Sequence, residues 1–273
     1  MKKALLGLLF MSIFAILAAC GNGDDSASDS ADKGGNGDLW QEVQDKGEIT
    51  VGTEGTYSPF TFHDDNGDLT GYDVEVMKEV GKHLGLDVKF EETQWDSMFS
   101  GLNSARFDVI ANQVGKGEDD ERVGQYDFSD PYTKSQSVVV TAADNNDIKA
   151  IEDVEGKTSA QSLTSNYNAL ATDAGAQIEG VEGLAQSIQL IEQGRVDLTF
   201  NDKLAVLDYL NNTDKDAPVK IAFETGEPSE TYFTFRKDSG EIVDQFNKAL
   251  DEMREDGTLA EISTKWFGED VNK

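Results

Sequence analysis

The sequence predicts an α/β protein of two lobes with a cleft between them. Short β-like runs alternate with helical patterns from about residue 38, the alternation starts again in mid-chain, and the end is helical. Ile49–Thr53 reads as a buried strand. From Asp73 a helix follows, with Val74, Met77, Val80 (or Gly81) and Leu84 on one face and Gly85 ending it. Val88–Glu91 is the next strand, then a helix over Trp95–Ala105 and the strand Phe107–Ala111. Strand, helix, strand, helix, strand is the order of a parallel sheet with crossover helices. The second unit opens on the strand Ser137–Thr141 and continues through Gly156–Ala160 to a helix from about Ser165. Helix 184–193 turns Leu184, Ile188 and Ile191 inward, and Val196–Phe200 is the strand after it. Tyr232–Phe235 is one more strand. Ile242, Val243, Phe246, Leu250 and Met253 form the stripe of a helix broken at Gly257, and Leu259, Ile262 and Trp266 mark a last short one. Open α/β sheets bind ligands at the carboxyl ends of their strands, so residues just after those strands should line the cleft.

The first residues have a different character. Lys2 and Lys3 precede the apolar run 4–18, and Leu17-Ala18-Ala19-Cys20 closes it, which is the layout of a secretory signal. A bilayer-spanning helix needs about 20 apolar residues, more than this run supplies. The Leu-Ala-Ala-Cys ending resembles a bacterial lipobox, so residues 1–19 are expected to be a leader and Cys20 the acylated anchor of an extracytoplasmic lipoprotein. Residues 20–37, small and polar after the cysteine, read as a flexible tether.

Composition limits the function. Cys20 is the one cysteine, so no internal disulfide can support the fold. The formal net charge of −30 becomes −32 once residues 1–19, which hold two lysines and no acid, are removed. Such a field repels phosphate backbones and excludes a nucleic-acid partner. The acids are scattered, apart from Glu118–Glu121, as on a solvated, salt-adapted surface.

Three ordered motifs carry a resemblance. Val51-Gly52-Thr53-Glu54-Gly55-Thr56-Tyr57-Ser58-Pro59-Phe60, then Gly71-Tyr72-Asp73-Val74-Glu75, then Asp127-Phe128-Ser129-Asp130-Pro131-Tyr132 are similar to the polar amino-acid-binding proteins of ABC importers. At closer range Trp95–Phe99, Ala111–Lys116 and Ala160–Tyr167 resemble the L-cystine-binding lipoproteins of Gram-positive bacteria. The resemblance runs from about residue 38 to 273. It implies a two-lobed periplasmic-binding-protein-like fold of type 2, with residues 38–134 and 229–273 in the first lobe and 135–228 in the second. It further implies a monomer that takes an amino acid, L-cystine above others, and passes it to the permease and ATPase subunits of an importer. Closure would bend the crossovers near Thr133–Ser137 and Phe223–Thr231.

An amino acid presents a carboxylate and an ammonium on one carbon, so its receptor needs a cation with oriented N–H groups and an anion. Arg122 matches the family's carboxylate-binding arginine, although the loop before it is longer than in many relatives; a surface residue offsetting acidic neighbours is its other reading. Gly115 matches a position whose backbone N–H meets the same carboxylate. Thr164, Ser165 and Asn166 stand at a helix start that would favour an anion, or simply cap that helix. Asp202 matches the aspartate for the α-ammonium, with a helix cap as its alternative. Tyr57 and Trp95 match positions that cover the ligand, with a core role open for each, and Gln113 offers backbone contacts. Glu54 suits a second positive group at the far end of the ligand, with Asn112 beside it; cystine, lysine and arginine all meet that requirement, and charge does not choose among them. Histidine and glutamine receptors, a sensory co-receptor and an enzyme on the same fold are the remaining alternatives. No catalytic residue, metal or cofactor is expected: His63 and His83 stand alone, no His/Cys cluster has metal spacing, and no nucleophile motif is present.

Overall fold

Ile49 and Val51, alternate residues of one strand, are fully buried in β1 (Glu48–Thr53), the middle strand of a parallel trio. The computed structural model describes residues 39–117, 121–213 and 217–272, all within the unit Asn36–Lys273, so Cys20, the leader and the tether lie outside the described residues. β1 pairs in parallel with β5 (Asp87–Glu92) and β6 (Val109–Val114), with Ile49 opposite Val88 and Val51 opposite both Phe90 and Val109. The crossovers are α2 (Tyr72–Leu84) and α3 (Trp95–Asn103). Val76, Met77 and Val80 bury one face of α2. The helix stops where Gly85 turns into the left-handed region at φ 70°, and the following N–H groups return to Gly81 and Lys82 carbonyls.

The expected strand Phe107–Ala111 lies further along, at Val109–Val114, for a packing reason. The Phe107 ring sits where a Cβ on Gly52 would be 2.4 Å from it and one on Gly101 2.7 Å, so the ring fills the space two glycines leave under β1. Asp108 then fastens β6 to β1, accepting from the Thr50 N–H at 2.9 Å and hydroxyl at 2.7 Å. The second lobe repeats the device: Asp197, just before β10 (Leu198–Asp202), accepts from the Thr158 N–H of β8 (Thr158–Gln161) at 2.8 Å.

Two long antiparallel strands, β7 (Tyr126–Ala142) and β11 (Val219–Arg236), pair from Arg236–Tyr126 at one end to Val219–Ala142 at the other. They join both lobes into one sheet of order β5-β1-β6-β11-β7-β10-β8-β9, where β9 is Gln177–Gly180. The apolar segments Ser137–Thr141 and Tyr232–Phe235 are only parts of these strands; the stretches between lobes are polar and carry no alternation. Register shifts interrupt the pairing between Thr225 and Ser229 and around Tyr232.

α4 (Asn166–Asp173), α5 (Leu184–Glu192) and α6 (Lys203–Asn212) belong to the second lobe, where Val138, Val140, Ile188, Ile191 and Val206 share one core. The terminal helices α7 (Glu241–Glu255) and α8 (Thr258–Phe267) return to the first lobe. There Phe246, Leu250, Met253 and Leu259 pack with Ile49, Phe60 and Met77, beside α1 (Leu39–Lys46). A small sheet of β2 (Thr56–Tyr57), β3 (Thr61–His63) and β4 (Leu69–Thr70) completes that lobe. No helix among the described residues is long and apolar enough to cross a membrane.

Candidate functional site

A cavity with about 550 Å³ of space between atoms, part of it open to solvent, lies where the sheet rule expects it. Glu54 follows β1, and Asn112 and Gln113 end β6. Gln161 ends β8 and Ser162 follows it, and Asn201 stands near the end of β10. Tyr57, Trp95 and the first turns of α4 and α5 close the sides.

Glu54 and Asn112 hold each other reciprocally. The Glu54 N–H donates to Asn112 Oδ1 at 2.7 Å, and Asn112 Nδ2 donates to Glu54 Oε2 at 2.6 Å. Thr53 Oγ1 donates to the same Asn112 oxygen at 3.2 Å, which fixes the amide's orientation. Burial pushes the Glu54 carboxyl up to about 7 against the lowering effect of the Asn112 bond, and the nearby Asp96 charge pushes the same way.

Trp95 is both wall and core: it is 8 % exposed, packs edge-on against Phe99 with centroids 5.8 Å apart, and lines the cavity. Its buried indole N–H has no hydrogen-bond partner, an unmet donor at the cavity wall. Tyr57 likewise combines both readings, packing on Phe60 while its hydroxyl donates across the cleft to Asn201 Oδ1 at 2.8 Å.

Arg122 is 5 % exposed, which removes the surface reading. Its guanidinium donates to the Gly115 carbonyl and, across the lobes, to the Thr164 carbonyl, both at 2.9 Å. It also lies over the Phe99 and Trp95 rings, 4.9 and 5.7 Å from their centroids. Burial pulls its pKa down, and the Glu121 charge opposes that. Thr164 gives its N–H and hydroxyl to Asp96 Oδ1 at 3.1 and 2.7 Å. Ser165 caps α4, accepting from the Asn168 N–H. Asp202 caps α6 through the N–H groups of Leu204 and Ala205, as its alternative reading expected. Its carboxylate also accepts from Ser135 Oγ at 2.9 Å and from Tyr167; burial raises it to about 6 against these bonds.

Of the predicted residues, Glu54, Tyr57, Trp95, Asn112, Gln113, Ser165 and Asn166 meet at one cavity. Arg122, Thr164 and Asp202 do not line it, and Gly115 lines a neighbouring cavity that shares Asn166. A Cβ on Gly115 would make only an ordinary 3.7 Å contact with the Glu230 carbonyl, so the protein's own packing does not require glycine there. The Gln113 N–H donates to Asp73 Oδ2 at 2.9 Å instead of facing the cavity. Sequence reasoning missed Gln161, Ser162, Tyr167 and Asn201, which the strand-end rule could have found, and Gly183, Leu184 and Ser187, for which nothing signalled a role. Among the described residues no group of three His, Cys, Asp or Glu could hold a metal ion.

Residues 49–269 match the family of bacterial extracellular solute-binding proteins, family 3. The chain is 67% identical over 274 residues to the L-cystine-binding protein TcyA of Bacillus subtilis (strain 168), covering 100% of both. It is 49% identical to the L-cystine solute receptor of Neisseria gonorrhoeae in its unliganded open conformation, over 87% of this chain and 100% of that one, with a TM-score of 0.59. An ancestral arginine-binding protein bound to arginine is 36% identical over 81% of this chain and 98% of that one, yet superposes better, with a TM-score of 0.75. The lobes here are bonded across the cleft by Tyr57–Asn201 and Arg122–Thr164. Fold, cavity position and these matches agree, and the chain belongs to the bacterial extracellular solute-binding proteins of family 3.

Proposed function

We propose that the protein is the L-cystine receptor of an ABC importer, held at the membrane by a lipid on Cys20. The observation that carries this reading is the full-length 67% identity to an L-cystine-binding protein. The family is extracellular, so the protein works outside the cytoplasm. Residues 38–134 with 229–273 form one jaw and 135–228 the other, and the ligand is delivered to a permease rather than transformed.

The geometry supports a role for each side chain. Arg122 takes the α-carboxylate with the N–H groups its two carbonyl partners leave over, helped by the backbone at Gly115 and Thr164–Asn166. Asp202 takes the α-ammonium. Glu54, fixed by Asn112, takes the far ammonium, and Tyr57 and Trp95 close over the ligand, with the unmet Trp95 N–H as a further donor. Gln113 supports the cavity wall.

Calorimetric titration of the unlipidated protein with L-cystine, arginine, lysine, histidine and glutamine tests the reading. L-cystine should bind tightest and be recovered unchanged. Tight arginine binding with no cystine binding would replace the ligand, and a changed ligand would replace the transport role. Arg122→Ala should abolish binding, since it removes a buried charged partner. Labelled fatty acid should enter the membrane-bound protein and be absent from Cys20→Ala.

A further inference from the structure

Thr133, Ser135 and Ser137 occupy alternate positions of β7, so their side chains share one face, and all three are buried. They lie where β7 passes from the first lobe to the second. Two of them are bonded to groups at the ends of core strands, one in each lobe. Thr133 Oγ1 accepts from Gln113 Nε2 at 3.2 Å, at the end of β6. Ser135 Oγ donates to Asp202 Oδ1 at 2.9 Å, at the end of β10.

The Gln113 side chain spans both crossover strands. Its Oε1 accepts from Thr231 Oγ1 of β11 at 3.1 Å, and Thr231 stands directly opposite Thr133 in the strand register. Asp73, with no exposed surface, holds this amide from behind, accepting from Gln113 Nε2 at 2.6 Å and from its N–H at 2.9 Å. Gln113 is held at φ 51°, in the left-handed region that a side chain rarely adopts, while it lines the ligand cavity. Register shifts flank the contact, between Thr225 and Ser229 on one side and at Thr231–Tyr232 on the other. The ladder is therefore broken on either side of the residues that the threonines hold.

We propose that Thr133, Ser135 and Thr231 are positioning residues that tie the ligand-holding ends of β6 and β10 to the crossover strands, so that seating the ligand and closing the lobes are one displacement. This rests on the receptor reading above. Rotation of the second lobe about β7 moves Ser135 relative to Thr133. Through their bonds that rotation carries Asp202 toward the ligand ammonium while the amide of Gln113 keeps the first lobe's wall in place.

The test uses the full chain in three variants: Ser135→Ala, the pair Thr133→Val with Thr231→Val, and the conservative Thr231→Ser. L-cystine and arginine affinities are measured by calorimetry, and ligand-induced compaction by small-angle X-ray scattering. Ser135→Ala, losing one buried bond to a charged carboxylate, should weaken binding about tenfold as well as lower the melting temperature by the few degrees that bond supplies. The valine pair should lose part of the compaction seen on saturating the wild type, and Thr231→Ser should restore it. Affinity within about twofold of wild type together with full compaction in both disruptive variants overturns the coupling, since a hydrogen bond to a charged group is worth more than that. A fall in melting temperature alone, with binding and compaction intact, also overturns it by showing a structural role. A wild type that binds no amino acid removes the receptor reading and the coupling with it; variants that match a competent wild type remove the coupling alone.

Discussion

Glu54 should make cystine binding depend on pH through neutrality, and the size of the effect follows from its surroundings. With its carboxyl raised to about 7, it is about nine-tenths ionised at pH 8 and about one-tenth at pH 6. An ammonium ligand needs the carboxylate, so below pH 7 binding must first release a proton. Affinity should rise with pH and level off above 7, losing about tenfold between pH 8 and 6. The groups around Glu54 set the direction: Asn112 and the backbone N–H of Trp95 favour its charge, burial and Asp96 oppose it, and burial wins. Calorimetry in two buffers of different ionisation enthalpy reads the released proton directly. Glu54→Gln keeps the bond to Asn112 but cannot titrate, so its affinity should be flat over most of this range. The ionisation of cystine itself is common to both proteins and cancels in the comparison. Asp202, raised to about 6, adds its own slope near and below pH 6, which both proteins retain. Equal slopes in wild type and Glu54→Gln would refute the assignment of Glu54 to the far ammonium.

Stability should move the other way with pH. Asp73 is raised from 3.8 to about 7 by burial, so the folded state holds its proton more tightly than the unfolded chain. The associated stability is present in full below pH 4 and is lost as pH rises through 7, a span of about 4 kcal/mol for this group. Denaturant unfolding should therefore show higher stability at pH 5.5 than at 7.5, and Asp73→Asn should reduce the difference, leaving the part that Glu54 and Asp202 contribute; an unchanged slope in that variant would rule Asp73 out as a source. Gly52→Ala should destabilise by about 1–3 kcal/mol, because its Cβ meets the Phe107 ring at 2.4 Å. Combining it with Phe107→Leu should recover part of the loss, and additive losses would show that the ring is not what the glycine accommodates.

What the sequence disclosed depended on how each segment is buried. β1, α2, α5 and α7 face a core on one side, and their apolar spacing was visible. β9 is an edge strand, Gln177–Gly180, mostly exposed, and its four residues carry no pattern. α6 is apolar on several sides, so its best signal was Asp202 as a cap rather than a stripe. β7 and β11 are long because their polar middles pair with each other, a contact far apart in sequence that no local spacing encodes. The site followed the same logic. Glu54 and Asn112 come directly after the apolar runs Ile49–Thr53 and Phe107–Ala111 and could be found there. Asn201 directly follows the apolar run Val196–Phe200 and is open to the same rule, although the strand itself runs from Leu198 to Asp202. Asp96, the partner of Thr164, is exposed on its own helix and gains its role only when the other lobe faces it.

The contacts that hold the lobes together explain why a receptor of this kind can wait for its ligand. Across the cleft run Tyr57–Asn201, Ser58–Asp208, Arg122–Thr164 and Thr164–Asp96, all but one involving a side chain at a partly or fully exposed position. Each such bond replaces one to water and nets only about 1 kcal/mol, and closing must also order the side chains that make it. Their sum is of the same size as the few kcal/mol that separate two populated conformations. Moving such an equilibrium from almost wholly open to almost wholly closed takes about 5.5 kcal/mol of differential binding. In the roles proposed above, Arg122 and Asp202, both buried, would supply that difference once one molecule bridges them. Stronger latches would close the cleft without cargo and present an unloaded receptor to the permease. On this argument the modest strength of the cross-lobe bonds is what leaves the ligand in control of closure.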